Sequence, residues 1–109
     1  MSYKALFADN RGEFLVVESN PDYYLHDGEI LVQNIFSGVN PADIKHATHL
    51  GILDTVIGYD FCGHVKQVSN QSKLEVGDLV AGYTPGGIGR NAKFGTHQKF
   101  LVCPESMLF

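Results

Sequence analysis

SGVNPADIKHATHLGILDTVIGYDFCG, residues 37 to 63, sets Pro41, Lys45, His46, His49, Tyr59 and Cys62 between two apolar segments. Three readings compete for it: a metal site, a catalytic loop, or the corner of a small barrel. Its first half carries the chemistry of a helix start. Asn40 can serve as N-cap, Pro41 takes the first helical position where a missing N–H costs nothing, and Asp43 puts a carboxylate near the positive helix end. A helix is therefore expected from Pro41 to about His49. Asp43 is a weaker reciprocal partner for a capping box than Glu or Gln.

Outward from this stretch, apolar runs of strand length recur: KALFAD (4–9), FLVVES (14–19), EILVQNIF (29–36), GHVKQV (63–68), DLVAGY (78–83) and HQKFLVC (97–103). Between them lie NRGE (10–13), SNPD (19–22), HDGE (26–29), SNQSK (69–73) and EVGD (75–78), all with turn chemistry. Short strands, frequent turns and 12 glycines predict a mainly β chain, a barrel or sandwich in preference to a parallel sheet. No strand, helix, strand unit is visible, so these residues cannot build a nucleotide-binding Rossmann half.

A length of 109 residues suits one domain, 1–109, with one core that buries roughly two thirds of the unfolded surface. A net charge of −4 without runs of like charge gives no basic footprint for nucleic acid. No window approaches the ~20 apolar residues of a membrane span. The start MSYKALFADNRGEF lacks signal-peptide regions, so a cytoplasmic location is expected. Cys62 and Cys103 sit inside apolar runs and are expected to be buried structural thiols.

Four constellations bear on chemistry. His46 and His49, with Cys62 and His64 further on, fall short of the recurrent spacing of a zinc site, so no metal is expected and the histidines are read as solvated or ligand-facing. TPGGIGRNAKFG (84–95) leads into a strand where a phosphate cradle would lead into a helix. It is expected to be a flexible surface loop from which Arg90 and Lys93 can reach an anion. No Ser or Cys occupies an elbow such as GxSxG and neither Cys has a base beside it, so nucleophilic catalysis is not expected. Lys45 and Tyr59, if their side chains converge, supply a cation and a phenolic donor to a carbonyl or enolate oxygen. A solvated Lys45 with a half-buried Tyr59 is the competing reading.

Four motifs occur in order along nearly the whole chain: GVNPADIK (38–45), IGYDFCGHV (57–65), KLEVGDLVAGYTPGG (73–87) and FGTHQKFLVCPESMLF (94–109). Together they resemble the N-terminal GroES-like domain of the medium-chain dehydrogenase/reductase superfamily. In particular the chain is similar to the zinc-independent quinone oxidoreductases and to the fungal enoyl reductases that act in trans with polyketide synthases. The resemblance implies a GroES-like, partly open β-barrel with one or two short helices and no Rossmann domain. Where the zinc-dependent relatives carry Cys and His, this chain has Asn40 and Tyr59, which again implies no metal.

The same resemblance implies that Asn40 and Lys45 line the cleft near the nicotinamide, that Tyr59 faces that cleft, and that Asp43 and Asp60 are structural. Relatives continue through a Rossmann domain that binds NADPH. The chain is thus expected to be truncated before its cofactor domain, to need no cofactor alone, and to touch NADPH through Asn40 and Lys45 only if that domain is supplied. The implied function is the substrate side of an NADPH-dependent enoyl or quinone reductase, with Lys45, Tyr59 and Asn40 as catalytic candidates. One alternative is a stand-alone, cofactor-independent isomerase or cyclase for a polyketide-like substrate in fungal secondary metabolism. Another is a non-catalytic binding or accessory domain docking on a synthase. Apolar surface around the cleft and the terminal SMLF predict self-association, or packing of the tail into the cleft.

Overall fold

The computed structural model describes residues 3–19, 23–69 and 72–109. In chain order it contains β1 (Tyr3–Ala8), β2 (Phe14–Ser19), β3 (Glu29–Phe36), α1 (Pro41–Leu50), β4 (Thr55–Val56), β5 (Asp60–Val68), β6 (Leu79–Tyr83) and β7 (Phe100–Pro104). Single 3-10 turns occur at Ala92–Phe94 and Glu105–Met107. Six of the strands answer to the six apolar runs. The expected turns at residues 20–22 and 70–71 lie outside the described residues.

The strands form two antiparallel sheets, ordered β2-β1-β4 and β6-β5-β3-β7. They do not close into a full barrel. Their link runs through the residues before β7: Ala5 bridges Gln98, Leu6 N–H donates to His97 O at 3.0 Å, and His97 N–H donates to Ile57 O at 3.0 Å. Inward-facing positions of the larger sheet alternate as a half-buried strand demands. Ile30 and Val32 of β3 meet Phe61 and Val65 of β5, Val80 of β6, and Leu101 and Cys103 of β7. Each such aliphatic side chain contributes about 1.5–3 kcal/mol on full burial.

The smaller sheet packs against α1, where Ala47 meets Ala8 and Ile57. The helix starts where its sequence says it should: Asp43 Oδ2 accepts the Asn40 N–H at 3.0 Å. It stops at Gly51, whose φ of 70° is the left-handed conformation that costs glycine little.

The segment 84–95 meets the expectation of a surface segment at residues 86–89 and at Asn91, which are exposed, but corrects it for the two cations. Arg90 and Lys93 are 9% and 6% exposed, and Thr84 and Thr96 are buried. Lys93 Nζ pairs with Glu29 Oε1 at 2.8 Å and also donates to Tyr24 O at 3.4 Å. Arg90 Nη2 donates to Gly58 O at 2.5 Å. Both cations are tied to internal acceptors, and neither is free to reach an external anion. Cys103 is buried as expected and Cys62 only partly; both are free thiols. Burial, helped by the charge of Glu29, pushes the Cys103 thiol up to about 12.

Candidate active site

Gly58 decides the geometry of the connection between β4 and β5. Its φ is 104°, and a Cβ there would strike Thr96 Oγ1 and the His97 backbone. This close approach lets the Gly58 carbonyl accept from both Thr96 N–H, at 3.3 Å, and Arg90. The next residue, Tyr59, emerges over the Arg90 guanidinium, 4.5 Å from its ring centroid. His46 of α1 meets the same ring edge-on at 4.9 Å and 75°. Gly86 lies against the ring too, since a Cβ there would sit 2.9 Å from Tyr59 Cε1. The phenol is thereby fixed by groups from three parts of the chain while its residue stays partly exposed. Burial lowers the pKa of the Arg90 guanidinium from its ordinary value, while Tyr59 and Asp43 favour its charge.

The start of α1 forms the adjoining wall. Asp60 Oδ1 accepts the Gly38 N–H at 2.7 Å and Oδ2 accepts the Asn40 amide at 3.0 Å, so the loop 37–40 is tied to the first residue of β5. Asp43 is 2% exposed. Its Oδ2 takes the Asn40 N–H and, at 2.9 Å, His97 Nε2; the other nitrogen of that ring, Nδ1, lies 2.8 Å from Ser37 Oγ. Asp43 Oδ1, His46 Nδ1, Arg90 Nε and Thr96 Oγ1 are buried with no hydrogen-bond partner among the described residues. Beside this network, Asp43 and His97 line an apolar cavity of about 320 Å³ with Leu6, Phe14, Val39, Ile44 and Ile57.

Of the three residues singled out from sequence, Tyr59 and Asn40 sit in this network and Lys45 does not. Lys45 is exposed on α1, away from the face that buries Asp43 and Ala47. No hydrogen bond, ion pair or ring contact joins it to Tyr59, and the cation at the phenol is Arg90. Arg90 and His97 were missed because they are distant in sequence and follow no periodic pattern. The one available signal was the place of Arg90 in a Gly-rich segment that also carried polar residues, with His97 just after it. His49 is exposed and His64 bonds to Gly77 O. Among the described residues no three His, Cys, Asp or Glu side chains gather to hold a metal.

The fold is that of a GroES-like domain, and the chain belongs to that family: residues 26–109 match the alcohol dehydrogenase GroES-like domain. Among individual proteins it is similar to the trans-enoyl reductase resD of Aspergillus sclerotiorum, 29% identical over 116 residues, covering 97% of this chain and 32% of resD. Among solved structures it is similar to an alcohol dehydrogenase superfamily protein from Novosphingobium aromaticivorans, with a TM-score of 0.78 and 28% identity over 99% of this chain and 33% of that one. The mycobacterial protein Rv1454c, solved with NADPH, shares the fold at a TM-score of 0.74 and 24% identity, over 97% of this chain and 31% of its own. The chain thus spans about a third of the length of these relatives.

The described residues do not fit a dinucleotide by themselves. Their strand pairs are antiparallel, so no parallel switch point exists for one. The N-terminus of α1, where a pyrophosphate would be welcomed, already faces the Asp43 carboxylate. No helix among the described residues is long and apolar enough to cross a membrane.

Proposed function

We propose that this chain forms the substrate side of a zinc-independent enoyl or quinone reductase, with NADPH held by a Rossmann domain that these 109 residues do not contain. The observation that carries this reading is the Tyr59 phenol, held over Arg90 and against His46; the sequence resemblance implies that zinc-dependent relatives carry a ligand at its position. A fixed donor aimed at a substrate carbonyl stabilises the oxygen as negative charge develops on it, without reorganising at that moment. Arg90 acts as a positioning residue through the ring face. Asn40 acts through Asp60, which holds its amide. Lys45 can meet only the outer part of a substrate, because it stands on the exposed side of α1.

A chimera tests the proposal. Residues 1–109 replace the corresponding segment of resD, and reduction of an α,β-unsaturated thioester is followed by NADPH consumption. Activity is expected, with Tyr59→Phe lowering kcat/KM by roughly tenfold to a hundredfold and Lys45→Met changing it little. A folded chimera that binds NADPH but reduces nothing would sink the reading. Full activity in Tyr59→Phe would remove the phenol from it.

A further inference from the structure

Ser37, His97 and Asp43 come from three separate segments: the loop after β3, the residues before β7 and the first turn of α1. The imidazole joins the other two, with Asp43 Oδ2 at 2.9 Å from Nε2 and Ser37 Oγ at 2.8 Å from Nδ1. An ionised carboxylate only accepts, so Nε2 carries the hydrogen toward Asp43; in the neutral form of the ring Nδ1 is then a bare lone pair to which the Ser37 hydroxyl can donate. A serine, a base and a carboxylate that orients the base on its opposite nitrogen are recognised by geometry and role, whatever their order in the chain.

The burial suits the chemistry. The Asp43 and His97 side chains are 2% and 10% exposed, which excludes most of the water that would weaken the relay. Ser37 is only partly buried and lies between exposed Phe36 and Gly38. The cavity of about 320 Å³ adjoins the pair, lined by His97 and Asp43 themselves with Leu6, Phe14, Val39, Ile44 and Ile57. It falls at the small end of the range of about 300–1,000 Å³ usual for small-molecule sites.

We propose that Ser37 is an acyl-accepting nucleophile, with His97 as its base and Asp43 as the positioning residue, and that it takes activated esters with short apolar acyl chains. Ser37 Oγ bonds to the acyl carbon and the bond from that carbon to the leaving alcohol breaks. The serine proton passes to His97 Nδ1 and then to the departing oxygen. Water reverses the route to release the carboxylic acid, and nothing is oxidised or reduced. Asp60 holds the Gly38 N–H and the Asn40 amide, so neither is offered to the tetrahedral oxyanion, which forms in acylation and in deacylation alike. An activated ester with a good leaving group acylates Ser37 faster than water removes the acyl group, so the acyl group accumulates on Ser37.

The test uses the 109-residue chain with p-nitrophenyl butyrate, following p-nitrophenolate release and mapping the butyryl group by peptide mass spectrometry. The expected result is a burst approaching one equivalent, slow turnover after it, and the acyl group on Ser37. Ser37→Ala is expected to abolish the burst, and His97→Asn and Asp43→Asn to slow it by roughly tenfold or more. Butyryl groups found on lysines or Cys62 with Ser37 unmodified would overturn the proposal, as would an unchanged burst in a folded Ser37→Ala protein. Mapping on the unsubstituted chain decides the matter even where a variant fails to fold.

Discussion

The ion pair between Lys93 and Glu29 is the least replaceable polar contact at the scale of single residues. Both side chains are buried, and removing one partner leaves the other charge without water or counter-charge. Lys93→Met is therefore expected to cost about 3–5 kcal/mol in chemical denaturation. The double change Glu29→Gln with Lys93→Met is expected to cost clearly less than the two single costs added, as a double-mutant cycle reads. Cys103 gives a pH signature of the opposite kind to acid unfolding. Its folded pKa of about 12 stands above the ordinary 9.0, so the folded state keeps a proton that the unfolded thiol gives up. Its contribution to stability is complete below pH 9 and is lost as the pH rises toward 12, by at most about 1.4 kcal/mol per pH unit. Cys103→Ala is expected to flatten the fall of unfolding free energy across that window. A fall of the same steepness in the variant would count against the assignment.

Elements were legible in proportion to how local their signals are. α1 announced its start within its own sequence, through Asn40, Pro41 and Asp43, with an end expected near His49, and six strands announced themselves by apolar runs bounded by turn residues. Gly51→Ala is expected to lower stability by about 1 kcal/mol, seen as a drop in Tm, because alanine resists the left-handed conformation that ends the helix. β4 escaped notice because two residues are too few for a period to show. In the segment 84–95, Gly86, Gly87, Gly89 and Asn91 are exposed as their residue types suggest, whereas Arg90 and Lys93 were misread. What buried them were distant acceptors, Glu29 for Lys93 and the Gly58 carbonyl for Arg90. The candidate site divides the same way. Tyr59 and Asn40 were visible through motif position, whereas His97 meets Ser37, and Arg90 meets Tyr59, only once distant parts of the chain have been brought together.

For the molecule as a whole, the distribution of apolar surface predicts behaviour in solution. Phe14, Leu15 and Val16 of the sheet-edge strand β2 are exposed, as are Phe36, Val39 and Ile44 near α1 and Ile88 in the segment before β7. An apolar edge strand and patches of this kind favour association. Light scattering of the 109-residue chain is expected to show mass rising with concentration through the micromolar range, with Val16→Lys reducing the rise; a constant monomer mass would contradict this. The tail lies along the fold, with Leu108 bridging Gly82, Phe109 N–H donating to Ala81 O at 2.9 Å, and the Phe109 ring 5.9 Å from Tyr83. The placing of β3 between β5 and β7 also sets the timing of assembly. The β1–β2 hairpin and α1 can form from neighbouring residues as soon as they are made. The larger sheet, however, cannot fill its core until residues 100–104 arrive beside a strand made much earlier. At roughly 5–20 residues per second of synthesis, β3 waits several seconds with one edge unpaired. Chains stalled before Phe100 are therefore expected to be cut readily by protease within residues 29–36, and chains released with β7 in place to be protected there.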